Sequence, residues 1–573
     1  MRKLLFYFVT FGLLESFVLI PKTGFSQSSY VPVMDKEYYH LVDRISIKFP
    51  QNTNYFHTSV KPIERKSLAL LADTLLNDTS LQISKSDEFN LEYLENDNSE
   101  WSKLHTNKSN KPFLKYFYKN KSDLFQVNTE DLNLHINPVL YLSYGKESES
   151  KTTSYISSRG LELRGMINKK VGFYTFIAEN QARFPNYVSQ YGYIPNVPIV
   201  PGEGYTKSFK TSAVDFITAR GYITFNIIKN IQLQFGHDKN FIGNGYRSLI
   251  LSDFSSNYTF LKLNTHVWKF NYVNIFAEMN ADVFYKNILY PKKYFALHHL
   301  SLDLTKNINI GIFESLVFGR TDPSKNGQFD FNYLNPVIFY RSIEQQLGSE
   351  DNAMLGADLK INFLKHFSFY SQLVLDEFVL KEVKSGNRWW KNQQAVQLGL
   401  KYIDVAGISN LDLQVETNIV RPFTYSHKDT YRSYTHFNQP LAHPRGANFK
   451  EYIGIVRYQP FKKLRAVVKG IYTKYGSDTS LTSGAIDNFG QNIFKSYNGI
   501  EGYRNYGNKN GQGVATNILY LSFNLSYQIK HNLFIDFTQI LRTKESNLKQ
   551  FNLNTNFTSI ALRLNISQKH HEF

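Results

Sequence analysis

The residues of this 573-residue chain that could do chemistry are a few carboxylates, three neighbouring histidines, a glycine turn and a set of loop aromatics and arginines. Asp376 and Glu377 are adjacent, and neighbours on a strand point to opposite faces. They therefore do not form the facing pair, roughly 5–9.5 Å apart, that glycoside hydrolysis needs. His427, His436 and His443 share one stretch but no ligand spacing, so no metal site is expected. Gly243-Asn244-Gly245 lacks a following helix pattern and reads as a turn, not a phosphate loop. The chain has no cysteine, which removes thiol nucleophiles, thiolate metal sites and disulfides together. No catalytic residue and no cofactor is expected, and the class predicted is a binding or assembly protein, not an enzyme.

The loop from Phe184 to Tyr205 joins four prolines to Tyr187, Tyr191, Tyr193 and Tyr205. Such a composition makes a stiff aromatic surface suited to stacking on sugar rings. With Arg247, Arg421 and Arg432, whose forked guanidinium groups suit carboxylates, Tyr187, Tyr191 and Tyr193 are the candidate contacts for an acidic surface polysaccharide. The competing reading has Arg247 and Arg421, at strand ends, pairing with interior carboxylates such as Glu344 and Asp376. A net charge of +17 favours acidic partners. For an exported protein these are anionic lipid headgroups or acidic polysaccharide; no nucleic-acid partner is expected.

The elements that must position these loops are strands. Between Asn517 and Ser567, Leu519, Leu521, Phe523, Leu525, Tyr527 and Ile529 share one parity, and Tyr520, Ser522, Asn524, Ser526, Gln528 and Lys530 the other. Leu533, Ile535, Phe537 and Leu541 continue the pattern, and Ile560, Leu562, Leu564 and Ile566 close it. Strands of about 9–11 residues that alternate in this way are the signature of a transmembrane barrel. Short basic turns recur at Asn168-Lys169-Lys170, Ile228-Lys229-Asn230, Thr305-Lys306-Asn307, Leu364-Lys365-His366, Phe461-Lys462-Lys463 and Lys530-His531-Asn532. With hairpins near Trp268 and Gly407 and a single strand at each end, the pattern predicts an all-β, antiparallel up-and-down barrel of about eighteen strands over 131–573. Ile560 to Ile566 are expected to face lipid at the even positions. The strand Glu451 to Gln459 has no clearly apolar face, and Phe329 to Asp351 reads as a long, partly helical loop. Bulky interior positions such as Tyr370, Tyr520 and Phe534 argue for a blocked lumen, against the rival reading of a solute pore.

Residues 1–26 read as a signal peptide, with Arg2 and Lys3 ahead of an apolar run. Residues 27–130 do not alternate and read as a small periplasmic helical region. One helix follows Pro62 with Ile63, Leu68, Leu71 and Leu75; a second, capped by Ser86, carries Phe89, Tyr93 and Leu94. The location implied is the outer membrane, with its lipid as a partner.

Three long stretches resemble the Wzi-like capsule assembly family. They are Gly236-His237-Asp238 through Phe241 to Leu249 and Leu251-Ser252-Asp253; Tyr333 to Val337 through Arg341, Glu344, Gly348, Asp351-Asn352 and Gly356; and Arg421-Pro422-Phe423 through Asn438 to Pro444. The resemblance is nearest to the Bacteroidota branch that includes the gliding motility protein RemB. It implies an eighteen-stranded outer-membrane barrel with a small periplasmic helical region. It also implies either a surface lectin that holds capsular polysaccharide or a component joined to gliding or surface-assembly machinery.

Overall fold

The computed structural model describes residues 28–573 apart from 53–55, 82, 105–106, 110–112, 149, 192–198, 211, 282–289, 320–328, 338, 350, 481–485 and 501–503. The expected signal peptide and Tyr193 thus lie outside the described residues. Eighteen long antiparallel strands, each bonded to its sequence neighbour, form a closed barrel. It closes where the last strand, Leu553–Leu564, pairs with the first, Leu132–Glu147, matching Leu562 with Leu142 and Leu564 with Leu140. Closure leaves no long edge of unpaired backbone facing hydrocarbon, where each orphan group would cost several kcal/mol. Two short strands, Phe125–Asn128 and Lys207–Phe209, are added at the rims.

The alternation read from sequence sets the wall. Leu142, Ile177, Leu398, Leu521, Ile535 and Ile560 are exposed on the outside, whereas Gln372, Gln397, Asp412, Glu416, Asn524 and Asp536 are buried inside. One position departs from expectation. Ile566 does not face lipid: the strand ends at Leu564, Asn565 turns in the left-handed region (φ 52°), and Ile566 packs inside against the Tyr30, Val139 and Tyr174 cluster. Asn565 suits that turn because asparagine tolerates the left-handed region better than a β-branched residue. The chain then runs back through the lumen to Phe573, whose main-chain oxygen accepts from Arg542 Nε at 3.2 Å.

The lumen is filled. The loop after Ile231–Asp238 folds inward, burying Ile242, Leu249, Ile250 and Leu251 completely. Its backbone groups are taken up by the inward polar row. Gln372 Oε1 accepts from Leu249 N at 2.8 Å, Gln397 Nε2 donates to Arg247 O at 3.0 Å, and Glu416 accepts from Tyr246 N at 2.6 Å and Arg247 N at 3.1 Å. Gly243 holds φ at 141°, and a Cβ there would collide with the Gln372 side chain. With apolar segments inside, apolar side chains can face inward too. This explains the strand Phe449–Phe461, where Ile453 and Ile455 are buried in the lumen while Tyr452 and Val456 are exposed outside.

Three helices, not two, occupy the short-turn end: α1 (Lys36–Lys48), α2 (Arg65–Asn77) and α3 (Lys85–Asp97). Asp35 caps α1, accepting from Tyr38 N at 3.0 Å. α3 is capped by Ser84, two residues before the expected Ser86, and Pro62 precedes the start of α2. Ile63, Leu68, Leu71, Leu75 and Leu94 are buried together with Phe534 of the barrel wall. The sequence reading missed α1 because its apolar side chains are interleaved with charges that meet the barrel interior. Arg44 Nη2 lies 2.9 Å from both Asp87 and Asp404, and its Nη1 bonds Asp412. Lys48 lies 2.7 Å from Asp87 and 3.0 Å from Asp404, and His40 2.8 Å from Asp412. Val60–Lys61 pairs with Phe241–Ile242, which ties the helical segment to the luminal loop.

Leu562→Arg should lower bilayer-folded stability by about 2–4 kcal/mol in urea titrations, because it places a charge on the lipid-facing wall. Arg44→Met should cost about 3–5 kcal/mol, since it leaves three buried carboxylates to Lys48 and His40 alone. The loss should appear as protease cleavage within α1 to α3 while the barrel keeps its heat-modifiable migration. Burial pushes the Asp87 and Asp404 carboxyls up, but Arg44, Lys48 and the hydrogen bonds they receive together hold both below the ordinary carboxylate range. Depressed folded values contribute stability above the unfolded value of about 3.9 and lose it as pH falls through the folded ones. Burial also lowers the His40 pKa, so protease protection of the helices should begin to decline below about pH 6.5 and fall further below about pH 4, where the carboxylates take up protons.

Candidate functional site

Of the six residues selected from sequence, the five that are described do not come together at one site. Tyr187 is buried in the lumen, its hydroxyl donating to His571 O at 3.0 Å. Tyr191 donates to Pro444 O at 2.7 Å and packs 4.0 Å from the Phe573 ring. Arg247 is buried, with Glu451 at 3.5 Å and the Glu572 main-chain oxygen as partners. This is the interior pairing weighed against a binding role, although the carboxylate is Glu451, not Glu344 or Asp376. Arg432, at the long-loop end, lies 3.5 Å from Asp351 and 3.8 Å from Asp429. Arg421 alone among the arginines of the set makes no ion pair among the described residues; its Nη2 donates to Trp389 O at 3.2 Å. Burial, and then the neighbouring Arg388 charge, push the Arg421 pKa down.

Beside Arg421 the long loops enclose a cleft of about 380 Å³ that sequence reasoning did not find. Its lining includes Glu344, Asp376, Glu377, Trp390, Ser426 and Tyr497. The end of the strand Phe367–Glu377 supplies both Asp376 and Glu377. Strict alternation would separate them, but the register shifts between Leu375 and Glu377, and at that irregularity both reach the cleft. Asp376 Oδ2 accepts from Tyr425 N at 2.7 Å. The helix Tyr340–Leu347, in the segment expected to be partly helical, supplies Glu344, which Arg341 meets at 3.1 Å. Burial pushes the Glu344 carboxyl up; Arg341 opposes the rise and Asp351 and Glu377 add to it. Asp351 accepts from Tyr333 and Ser349 hydroxyls, each at 2.7 Å.

Trp390 forms the floor, 2% exposed, with its ring 5.7 Å from Phe423 and 5.1 Å from Tyr497. Its backbone is fixed by a bond from Trp390 N to Asn505 O at 3.0 Å. Among the described residues its indole Nε1–H has no partner, and neither has the Ser426 hydroxyl, also 2% exposed. Buried donors are almost always satisfied, and leaving one unpaired costs about 1–3 kcal/mol. Two unpaired donors in a cleft walled by carboxylates make a surface ready for a ligand with both acceptors and donors on neighbouring atoms. A polyol meets that description.

The residues singled out by the long motifs are placed by this architecture. Phe241 to Leu251 forms the luminal plug, Arg341, Glu344, Asp351 and Asn352 line the cleft, Phe423 packs against its Trp390, and Asn438 to Pro444 packs inside, where His443 Nε2 meets Glu451 at 2.8 Å. A family model described as capsule assembly protein Wzi matches residues 142–554, more than half of the chain. The chain belongs to the Wzi capsule assembly family. No curated protein matches it in sequence. Among solved structures it is similar to Wzi of Escherichia coli, described as an outer membrane protein involved in group 1 capsule assembly and a carbohydrate-binding β-barrel. The TM-score is 0.56 at 13% identity, over 94% of this chain and 100% of that one. OprD of Pseudomonas aeruginosa gives a TM-score of 0.39 at 13% identity, over 75% of this chain and 94% of that one. OccAB4 of Acinetobacter baumannii gives 0.40 at 11%, over 76% and 98%. The closed barrel, its apolar outer belt and the family place the chain in the outer membrane.

Ser426→Ala should leave thermal stability unchanged or raise it by up to about 1 kcal/mol, because it removes a buried hydroxyl with no partner among the described residues. A loss above about 2 kcal/mol in a denaturant titration would show that the hydroxyl has an internal partner.

Proposed function

We propose that this protein is a non-enzymatic surface-binding protein that holds polysaccharide at the outer face of the membrane through the cleft of its long loops. The observation that carries the reading is the pair of unpartnered buried donors, Trp390 Nε1–H and Ser426 Oγ–H, set among the Asp376, Glu377 and Glu344 carboxylates. Sugar hydroxyls accept from the first two and donate to the second three. Arg421, which holds the Trp389 carbonyl next to Trp390 and has no ion-pair partner among the described residues, supplies positive charge for an anionic substituent such as a uronate. In this reading the short-turn end, with α1 to α3, faces the periplasm. The family and the carbohydrate-binding description of the E. coli relative support this assignment.

The filled lumen speaks against a solute pore: the inward loop and the Ile566 to Phe573 segment occupy it along with α1. Planar-bilayer recordings should accordingly show no steady conductance. Binding is tested in cells and in vitro. Trp390→Phe keeps the aromatic floor but deletes the indole donor, and should weaken glycan binding about tenfold, the equivalent of roughly 1.4 kcal/mol. Paired with Glu377→Gln it should reduce retained surface polysaccharide while the amount of barrel in the membrane stays normal. Normal polysaccharide retention with lost colony spreading would refute this reading and favour the gliding role of the RemB-like branch.

A further inference from the structure

The most exposed apolar cluster of the N-terminal segment lies outside the barrel, not in it. Residues 113–117 form a tight hairpin in which Phe113 N donates to Phe117 O at 2.8 Å and Phe117 N to Phe113 O at 2.9 Å. Leu114 and Lys115 sit at φ 50° and 64°, so the turn projects its tip. Phe113, Leu114 and Tyr116 are 62%, 65% and 69% exposed. A soluble surface does not ordinarily gather three such side chains at one point.

The hairpin is joined to the lipid-facing wall. The last strand stops at Leu564, opposite Leu140, and below it the edge of the first strand is covered by Phe125–Asn128. Phe125 pairs with Ile136 and Val127 with Leu134. Directly opposed residues share a face, and Leu134 and Ile136 are on the outward parity, since Asn133, His135 and Asn137 are buried inside. From Phe125, 38% exposed, the aromatic run continues to Phe117 at 6.4 Å and from Phe117 to Phe113 at 6.4 Å. The apolar belt of the barrel therefore extends without a break onto the hairpin. The tip also carries charge: Lys108, Lys115, Lys119 and Lys121 are exposed around it, and Lys119 Nζ stands 5.9 Å from the Tyr116 ring. At the same end of the barrel, Trp268, Leu364 and Phe461 are exposed at short turns, marking the level where hydrocarbon meets headgroups.

We propose that residues 113–125 form a lipid-binding foot, in which Phe113, Leu114 and Tyr116 enter the interface of the short-turn leaflet and the lysines bind its anionic phospholipid headgroups. Aromatic rings anchor at the headgroup level, and lysine stems bury their methylenes while the charge meets phosphate. The occupant is phospholipid because the patch continues a surface that is already in lipid. The foot is also the outer cover of the barrel seam, so its seating holds the N-terminal segment against the wall.

The absence of cysteine makes the test direct. Full-length Leu114→Cys, labelled with nitrobenzoxadiazole, is folded into vesicles of phosphatidylethanolamine and phosphatidylglycerol; Lys384→Cys, exposed at the end of the short helix Leu380–Lys384 at the opposite end of the barrel, serves as the aqueous reference. The label at 114 should emit several-fold more strongly and to the blue of the label at 384, resist aqueous iodide, and be quenched by headgroup-proximal brominated lipid. Adding Phe113→Ser and Tyr116→Ser should return it toward the reference. Lys115→Gln with Lys119→Gln, both on exposed side chains, should abolish the response to the phosphatidylglycerol fraction. Water-like emission at 114, or shielding that arises only when a second protein is added, would overturn the proposal.

Discussion

The interior of this barrel depends on the bonding of inserted backbone by inward-facing polar side chains. Glu416 shows the arrangement most fully. One carboxylate accepts from Tyr246 N, Arg247 N, the Tyr370 hydroxyl and Asn418 Nδ2. A chain segment drawn into a lumen loses water for its N–H and C=O groups, and each group must find another partner or cost the fold about 1–3 kcal/mol. Gln372, Gln397 and Lys401 do the same for Leu249, Arg247 and Asn244. The polar parity of the strands is thus the receptor for a plug, where in a water-filled barrel it would line a channel.

The same logic governs charge. Lys469 meets Glu572, which also bonds Tyr246; Arg563 meets Asp536 at 2.7 Å; and Lys401 meets Asp43 of α1. Burial alone would push the Glu572 carboxyl up, yet Lys469, His570, Lys36 and Arg247 together hold it well below the ordinary range. A buried pair is weak evidence for stability in itself, but removing one member leaves an uncompensated charge. These pairs therefore act as registers, fixing where α1 and the Ile566 to Phe573 segment can seat. The outer cleft differs in where its free donors point. Among the described residues Trp390 Nε1 and Ser426 Oγ have no partner, and unlike the unpartnered polar atoms of the lumen they belong to residues that line the cleft of the long loops.

The architecture also shows that the most legible motifs of the chain are bound up in packing the lumen. Phe241 to Leu251 is held between Val60–Lys61 and the inward glutamines, where almost any change disturbs several backbone bonds. Tyr187, Tyr191 and Arg247 have sugar-binding chemistry, but their partners are His571, Pro444 and Glu451. Proline- and tyrosine-rich loops serve equally well as packing over a plug, and composition alone does not tell the two apart.

The sequence by itself determined the wall: strand number, outward parity, basic short turns, and the outward identity of Leu562 and Leu564. That information is local, because a strand with lipid on one side must repeat every second residue. What lay beyond local pattern was decided by contacts distant in the chain. α1 was hidden because Arg44, Asp43 and His40 are polar toward partners more than 350 residues away. Ile453 and Ile455 blurred their strand because a plug turns part of the lumen apolar. Asp376 and Glu377 share a cleft only because the register slips by one residue at the strand end. Ile566 left the lipid face because the chain turned inward at Asn565. Periodicity records which solvent each face of an element meets; it does not record what fills the enclosed space, and in this protein the filling determines which side chains are left free to bind.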